Sequence, residues 1–299
     1  MNPTIRDAAI KLMTRDHFED VNRLDKILGE GHSATLSNIV PPNPYVGNPS
    51  NLIPGKCVAL IGINPRYNHH KTVKPIKRFK FKHFEIDIPV KCQIKYNQTN
   101  DFHAFDPWFE KLHCYFDDQY FTIKDEKKVD PYYGEYFTKI GNHIGRAWYT
   151  APAEGEPANA NARRVLSHHV LKLDAVPYYS VSDKMDANKI IEAMQGDPAM
   201  RAHLRLMEAL FQECRPRHLQ VNGKTTAGSM IKAVFGEIDS FESIGKGKSS
   251  IEVGWGKIGH HKLPILIHGF TNASGGPQSA EAFLECANHF EKWLNNQIF

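Results

Sequence analysis

Four short apolar runs, each closed by turn residues, stand out along the chain: 57–63 (CVALIGI), 170–176 (VLKLDAV), 218–221 (HLQV) and 264–267 (PILI). Their length and branched content predict buried parallel strands. Apolar residues at spacings of three and four predict helices over 190–214 and 225–235. A further helix is predicted at the C-terminus, where Ala280, Phe283, Leu284, Ala287, Phe290 and Leu294 share one stripe and Pro277 stands near the start, where a missing N–H is harmless. Strands alternating with helices imply an α/β fold: a three-layer sandwich around a mainly parallel four-stranded sheet. Such sheets hold ligands at the carboxyl ends of their strands.

The interval between the first two strands is long, and it predicts an aromatic-rich insertion at about 66–155 within a single domain spanning 1–299. More than half of the chain's aromatic residues fall between Phe79 and Tyr149. Most read as a satellite core under the insertion, with a few left to line a pocket. A Pro, Gly, Ala and Asn-rich stretch at 151–161 then returns the chain to the sheet.

Composition narrows the class without naming it. The 299 residues carry a formal charge of +4, which permits an anionic partner but does not demand one. No apolar run is long enough to cross a bilayer, and MNPTIRDAAIKLM lacks the layout of a signal peptide, so a cytoplasmic, monomeric protein without a membrane partner is expected. The five cysteines are scattered and never paired as CxxC, which reads as reduced packing residues. The adjacent pairs His69-His70, His168-His169 and His260-His261 do not share a face on a helix or strand, so no metal is expected, and no cofactor. Gly223-Lys224-Thr225 imitates the end of a phosphate-binding loop, but His218 stands where that loop needs its first glycine.

The strand ends are where chemistry is expected. The first closes on Gly62-Ile63-Asn64-Pro65, an amide after a buried run, although Asn-Pro is also a common turn pair. The fourth closes on His268, followed by Gly269-Phe270-Thr271-Asn272-Ala273-Ser274-Gly275-Gly276-Pro277, small enough for backbone amides to approach an anion. A satisfied surface histidine is the plain alternative. Asp174 closes the second strand, and a carboxylate in an apolar strand needs either a local donor or a ligand.

Taken together, these residues resemble the uracil-DNA glycosylase superfamily. Gly62-Ile63-Asn64-Pro65 is similar to the first catalytic motif of its mismatch-specific and thymine-DNA branches. His268 falls where the second motif opens, with Gly269-Phe270 in place of the family's Pro-Ser. Asp174 falls where the family reads the edge of the flipped base, usually with Asn. The stretch 215–224 resembles the strand and Gly-Lys turn before the last helices. The resemblance implies a monofunctional DNA glycosylase: Asn64 would orient the attacking water, and His268 would donate a hydrogen bond to the base O2. An aromatic such as Phe79, Phe81 or Phe84 would stack on the base; Arg66, which follows Pro65 as a departure from the family pattern, is read as a further base-recognition residue.

An ionised Asp can only accept, which suits the N4 amino group of cytosine rather than uracil O4. The implied substrate is a 5-modified cytosine, for which superfamily members that remove glucosylated hydroxymethylcytosine from phage DNA give a precedent in anti-phage defence. Between His69 and His83, six lysines or arginines and three histidines interleave with Phe79 and Phe81 before the first acidic residue, Glu85. Such a run is either a solvated face or a contact to phosphates with bases nearby. Lys77, Arg78 and Lys80, with Phe270, Ser274 and Gly275 of the last loop, are the expected DNA contacts. Two other readings stay open: a uracil or mismatch glycosylase in which Asp174 is structural, and an inactive DNA-binding module.

Overall fold

The computed structural model describes residues 3–28, 36–37, 40–63, 65, 87–116, 166–180, 185–237, 239–270, 276–277 and 279–297. Two helices open the chain, α1 (Pro3–Met13) and α2 (His17–Leu28). Strand β1 (Val58–Gly62) follows, then α3 (Asp87–Thr99) and α4 (Asp106–His113). Strand β2 (Val170–Asp174) leads to α5 (Ala187–Gly196) and α6 (Pro198–Cys214). After β3 (His218–Asn222) come α7 (Ser229–Phe235), β4 (Glu242–Ile244), β5 (Ile251–Ile258), β6 (His261–His268) and α8 (Ala280–Asn296).

The α/β class expected from the sequence is what the fold shows, but the sheet has six strands rather than four, in the order β2-β1-β3-β6-β5-β4. The four predicted strands are the parallel ones, side by side. Strands β5 and β4 continue the sheet antiparallel beyond β6. The turn from β5 to β6 uses Gly259 at a φ of 57°, in the left-handed region where glycine carries no steric cost. The helix expected over 190–214 is two helices. Asp197 breaks it, accepting from the N–H groups of Ala199 and Met200, and Pro198 opens α6 at a position that needs no donor.

Strand alternation sorts the parallel sheet into two unlike faces. Leu171, Leu173, Ala59, Ile61, Leu219, Val221, Ile265 and Ile267 point one way, all buried, into a core shared with Leu206, Met207 and Leu210 of α6. The opposite face carries Leu266 beside Ile251 and Val253, packed on Cys286, Phe290 and Trp293 of α8. Helices therefore lie on both faces. Each aliphatic side chain taken fully out of water contributes about 1.5–3 kcal/mol, and the uniformly apolar face is the larger reservoir.

The described part of the insertion does not make a satellite core. Phe105, Trp108, Phe109 and Phe116 are buried in the main cluster itself, with Tyr96 and Tyr115 packed against it. Gly47 shows how close this packing is: a side chain there would press into the Val170 carbonyl and the Phe116 ring. All five cysteines are free and four are buried, consistent with packing residues. No helix among the described residues is long and apolar enough to cross a membrane.

Paired charges tie α2 and the turn before it to the rest. Asp20 accepts from Arg15 and Arg23 and from the Tyr178 hydroxyl, while Arg23 also donates to Asp197. Asp20 and Asp197 are buried, so their partners offset a desolvation cost of several kcal/mol per ion.

Candidate functional site

The strand registers line up four residues across the carboxyl edge of the parallel sheet. Asp174 pairs with Gly62, Ile61 with Val221, and Asn222 with His268, so the row runs Asp174, Gly62, Asn222, His268. All four belong to the face that also carries Lys172 and Gln220 one turn of the pleat below. Every polar residue in the middle of these strands therefore lies on one face, while the other is entirely hydrocarbon.

Asp174 has the local donor that its burial demands. The Lys172 ammonium stands 3.1 Å from Oδ2, and the two side chains are 15% and 4% exposed. Oδ1 lies over the Cα of Gly62, closer than any Cβ at that position would tolerate. From the other side of the strand, Nε2 of His203 donates to the Asp174 carbonyl at 2.7 Å. Burial pushes the His203 imidazole down to about 4, so it stays neutral in that role.

The turn after β1 is held by the segment after β2. The Ala175 N–H donates to the Gly62 carbonyl at 3.0 Å, that of Val176 to Ile63 at 2.8 Å, and that of Ser180 to Pro65 at 3.0 Å. The residues on both sides of Asn64 are thus fixed against the chain that carries Asp174. Asn64 itself lies outside the described residues, as do Arg66, Lys77, Arg78, Phe79, Lys80, Phe81, Phe84, Ser274 and Gly275.

His268 is fully buried rather than on the surface. Its Nδ1 is 2.8 Å from the Gly269 carbonyl, which only accepts, so Nδ1 carries the proton. Nε2 then accepts from the Gln220 side-chain amide at 3.1 Å. Burial pushes this ring down to about 4, and its edge packs on Phe283. In this arrangement no ring N–H is directed at a ligand, which differs from the donor role the resemblance implies. Gln220 Oε1 is buried with no partner among the described residues, so the couple is only half satisfied.

Phe270, one of the expected DNA contacts, follows two residues on. It is half-buried and packs onto the main core, its ring against Gly223, where a Cβ would come within 2.8 Å. Gly223 has a φ of 116° and donates its N–H to the His268 carbonyl, so the Gly-Lys turn serves as a seat for this ring. The next residue, Lys224, reaches Ser250 Oγ at 3.0 Å instead of open solvent.

The structure therefore brings Asp174 and His268 into one row, at opposite ends of it. Sequence reading passed over Lys172, Gln220, Asn222 and His203. The first three carried a signal, polar residues at alternate positions in otherwise apolar strands; His203 sits within an ordinary helical stripe and carried none. Among the described residues no group of His, Cys, Asp and Glu could hold a metal ion.

Fold and edge together define an α/β protein whose polar groups converge where open parallel sheets hold their ligands. Neither a protein-family model, nor a curated protein, nor a solved structure matches the chain.

Proposed function

We propose that the protein is a DNA glycosylase that hydrolyses the N-glycosidic bond of an extruded base, a 5-modified cytosine, and leaves an abasic site. The observation that carries this reading is that Gly62, which pairs with the buried Asp174, and Ile63 and Pro65, which flank Asn64 in sequence, are tied to the segment after Asp174 through three backbone hydrogen bonds. A base-reading acceptor and a water-orienting amide need this proximity, because one flipped nucleotide must meet both.

Extruding the nucleotide costs a few kcal/mol of stacking, which contacts in the pocket offset. Asp174 accepts from the N4 amino group and orients the base. Asn64 holds water near the sugar carbon through its amide oxygen, and a weak base suffices when the bond is largely broken before water attacks. Water supplies the hydroxyl to the sugar and its proton leaves with the base. His268 becomes a donor to base O2 only if its proton moves from Nδ1 to Nε2 and Gln220 turns away, so the resting ring is a latent donor. The basic run at Lys77, Arg78 and Lys80 contacts phosphates.

The Lys172 contact favours a second reading, a uracil or mismatch glycosylase in which Asp174 is a satisfied structural residue. Incubation with genomic DNAs of different base modification and with a uracil-containing duplex, followed by mass spectrometry of the released bases, separates the two. Release of a modified cytosine supports the first reading, and release of uracil alone supports the second. Tight DNA binding with no released base from any substrate overturns both in favour of an inactive binding module.

A further inference from the structure

The carboxyl edge of the parallel strands continues past His268 onto β5. Ile251, the first residue of β5, pairs with His268, so the segment 245–250 that joins β4 to β5 stands at the same edge as the row Asp174, Gly62, Asn222, His268. It reads Gly-Lys-Gly-Lys-Ser-Ser. Lys246 and Lys248 are exposed, and Lys224, two residues past β3, reaches the segment through its bond to Ser250 Oγ. Three ammonium groups thus belong to one short stretch of the edge.

The segment is held from behind. Gly245 and Gly247 take φ of 78° and 58°, left-handed values that suit glycine. The bare Cα of Gly245 receives the His289 ring of α8, and Cys286 Sγ donates to the Ser249 carbonyl at 3.4 Å. The Ser249 hydroxyl closes the turn onto the Lys246 carbonyl at 3.2 Å. No carboxylate stands between Gly245 and Ile251 in the sequence. Glu252 projects from the face of β5 opposite α8, where Lys232 holds it at 2.6 Å. Glu242 lies back along β4, opposite Val253, and Glu285 of α8 is 3.7 Å from His289.

Strand β5 lies four positions from β2 in the sheet, a distance of about 19 Å at the usual strand spacing. Nucleotides along one strand of a duplex rise about 3.4 Å each. DNA laid along this edge with its extruded base at Asp174 therefore passes the segment roughly half a helical turn away. A lysine ammonium is a point charge, suited to phosphate and blind to base sequence.

We infer that Lys246 and Lys248, backed by Lys224, contact the DNA phosphate backbone on the His268 side of the base site. This rests on the glycosylase reading given above.

The test compares the full-length protein with the double variant Lys246→Ala, Lys248→Ala and with the charge-keeping pair Lys246→Arg, Lys248→Arg. The probe is a duplex extending a full turn on each side of one tetrahydrofuran residue, a stable mimic of the abasic product. Affinity is read by fluorescence anisotropy between about 50 and about 200 mM salt. The Ala pair should bind about 10-fold more weakly at the lower salt and flatten the slope of log K against log salt by about 2, while the Arg pair keeps both. Its Tm should not change, because both side chains are exposed. Trimming the duplex close to the mimic on one side should abolish the difference between wild type and Ala pair, and trimming the other side should preserve it. An Ala pair that keeps the wild-type slope on a duplex the wild type binds overturns the proposal and leaves the glycosylase reading standing. Loss of binding to phosphatidylserine vesicles, with DNA affinity unchanged, overturns it in favour of a membrane surface. A lysine-dependent slope in a protein that releases no base from any DNA supports the contact and overturns the glycosylase reading. A wild type that does not bind the duplex overturns both.

Discussion

Gln220 donates its side-chain amide to Nε2 of His268 across 3.1 Å, while Nδ1–H of the same ring donates to the Gly269 carbonyl. The ring is therefore neutral with its proton on Nδ1, and burial, which pushes it down to about 4, keeps it so near neutral pH. Nitrogen NMR on the free protein should show an Nδ1–H imidazole that does not titrate between pH 5 and 8. Addition of substrate DNA should move the proton to Nε2 if His268 donates to the base. Gln220→Leu removes the donor from a buried ring nitrogen and should cost about 1–3 kcal/mol in urea unfolding.

Gly62→Ala tests the seat of Asp174. The added Cβ must turn the Asp174 carboxylate off its seat, against its bond to Lys172. The expected loss is about 1–3 kcal/mol of stability, the usual scale for an overpacked site. Alanine at this exposed-looking strand end that leaves Tm unchanged would mean that the carboxylate moves freely.

Asn64→Ala should abolish base release and leave DNA affinity within a few fold, because an amide that organises water does not bear on phosphate binding. Single-turnover base release and a binding isotherm on the same duplex check this. Turnover that survives the substitution removes Asn64 from the mechanism.

Asp174→Asn converts one acceptor into a donor able to face uracil O4. The ratio of kcat/KM for the cytosine derivative over uracil should shift toward uracil by roughly 1–3 kcal/mol. Equal losses on both substrates would show that Asp174 does not read the base.

Stability should fall in two windows as pH drops. His203 and His268 are held down to about 4 by burial, below the roughly 6.5 of an unfolded chain, so the unfolded state binds protons first. Their contribution is complete above about pH 6.5 and is lost toward pH 4, on the order of 3 kcal/mol each. Asp20 follows at lower pH. Burial alone would raise it, but hydrogen bonds from Arg15 and Arg23 outweigh that and hold it below the usual range, so its contribution is lost as pH falls through its folded value. Thermal melts from pH 8 to 3 check both windows, and His203→Gln should flatten the upper one.

The four parallel strands were legible because each is a closed apolar run, the pattern of a strand buried on both faces. Strand β5 was not, since Gly254 and Gly256 interrupt it and its apolar residues alternate, a pattern that long antiparallel pairing with β6 supports. The break before α6 was written in Gly196-Asp197-Pro198, a stop, a cap and a first-turn proline, yet the helical periodicity runs through it on both sides. Asp174 and His268 were readable as strand-end polar residues. Their partners were not, because Lys172 and Gln220 gain meaning only from register, and His203 only from a contact across 29 positions of chain.

The two margins of the sheet have a consequence for how the protein meets other chains. At one margin, β4 is three residues long and carries exposed Glu242 and Ser243. At the other, β2 and the segment after it are already bonded along their outer side by Val46, Asn43 and Ser37. Neither margin offers a long, flat row of open main-chain donors and acceptors, the template on which strands from separate molecules add to one another. High concentrations should thus be tolerated without strand-mediated aggregation, and a peptide could add at the β2 margin only by first peeling away the Val46 segment and, with it, the backbone support of Lys172.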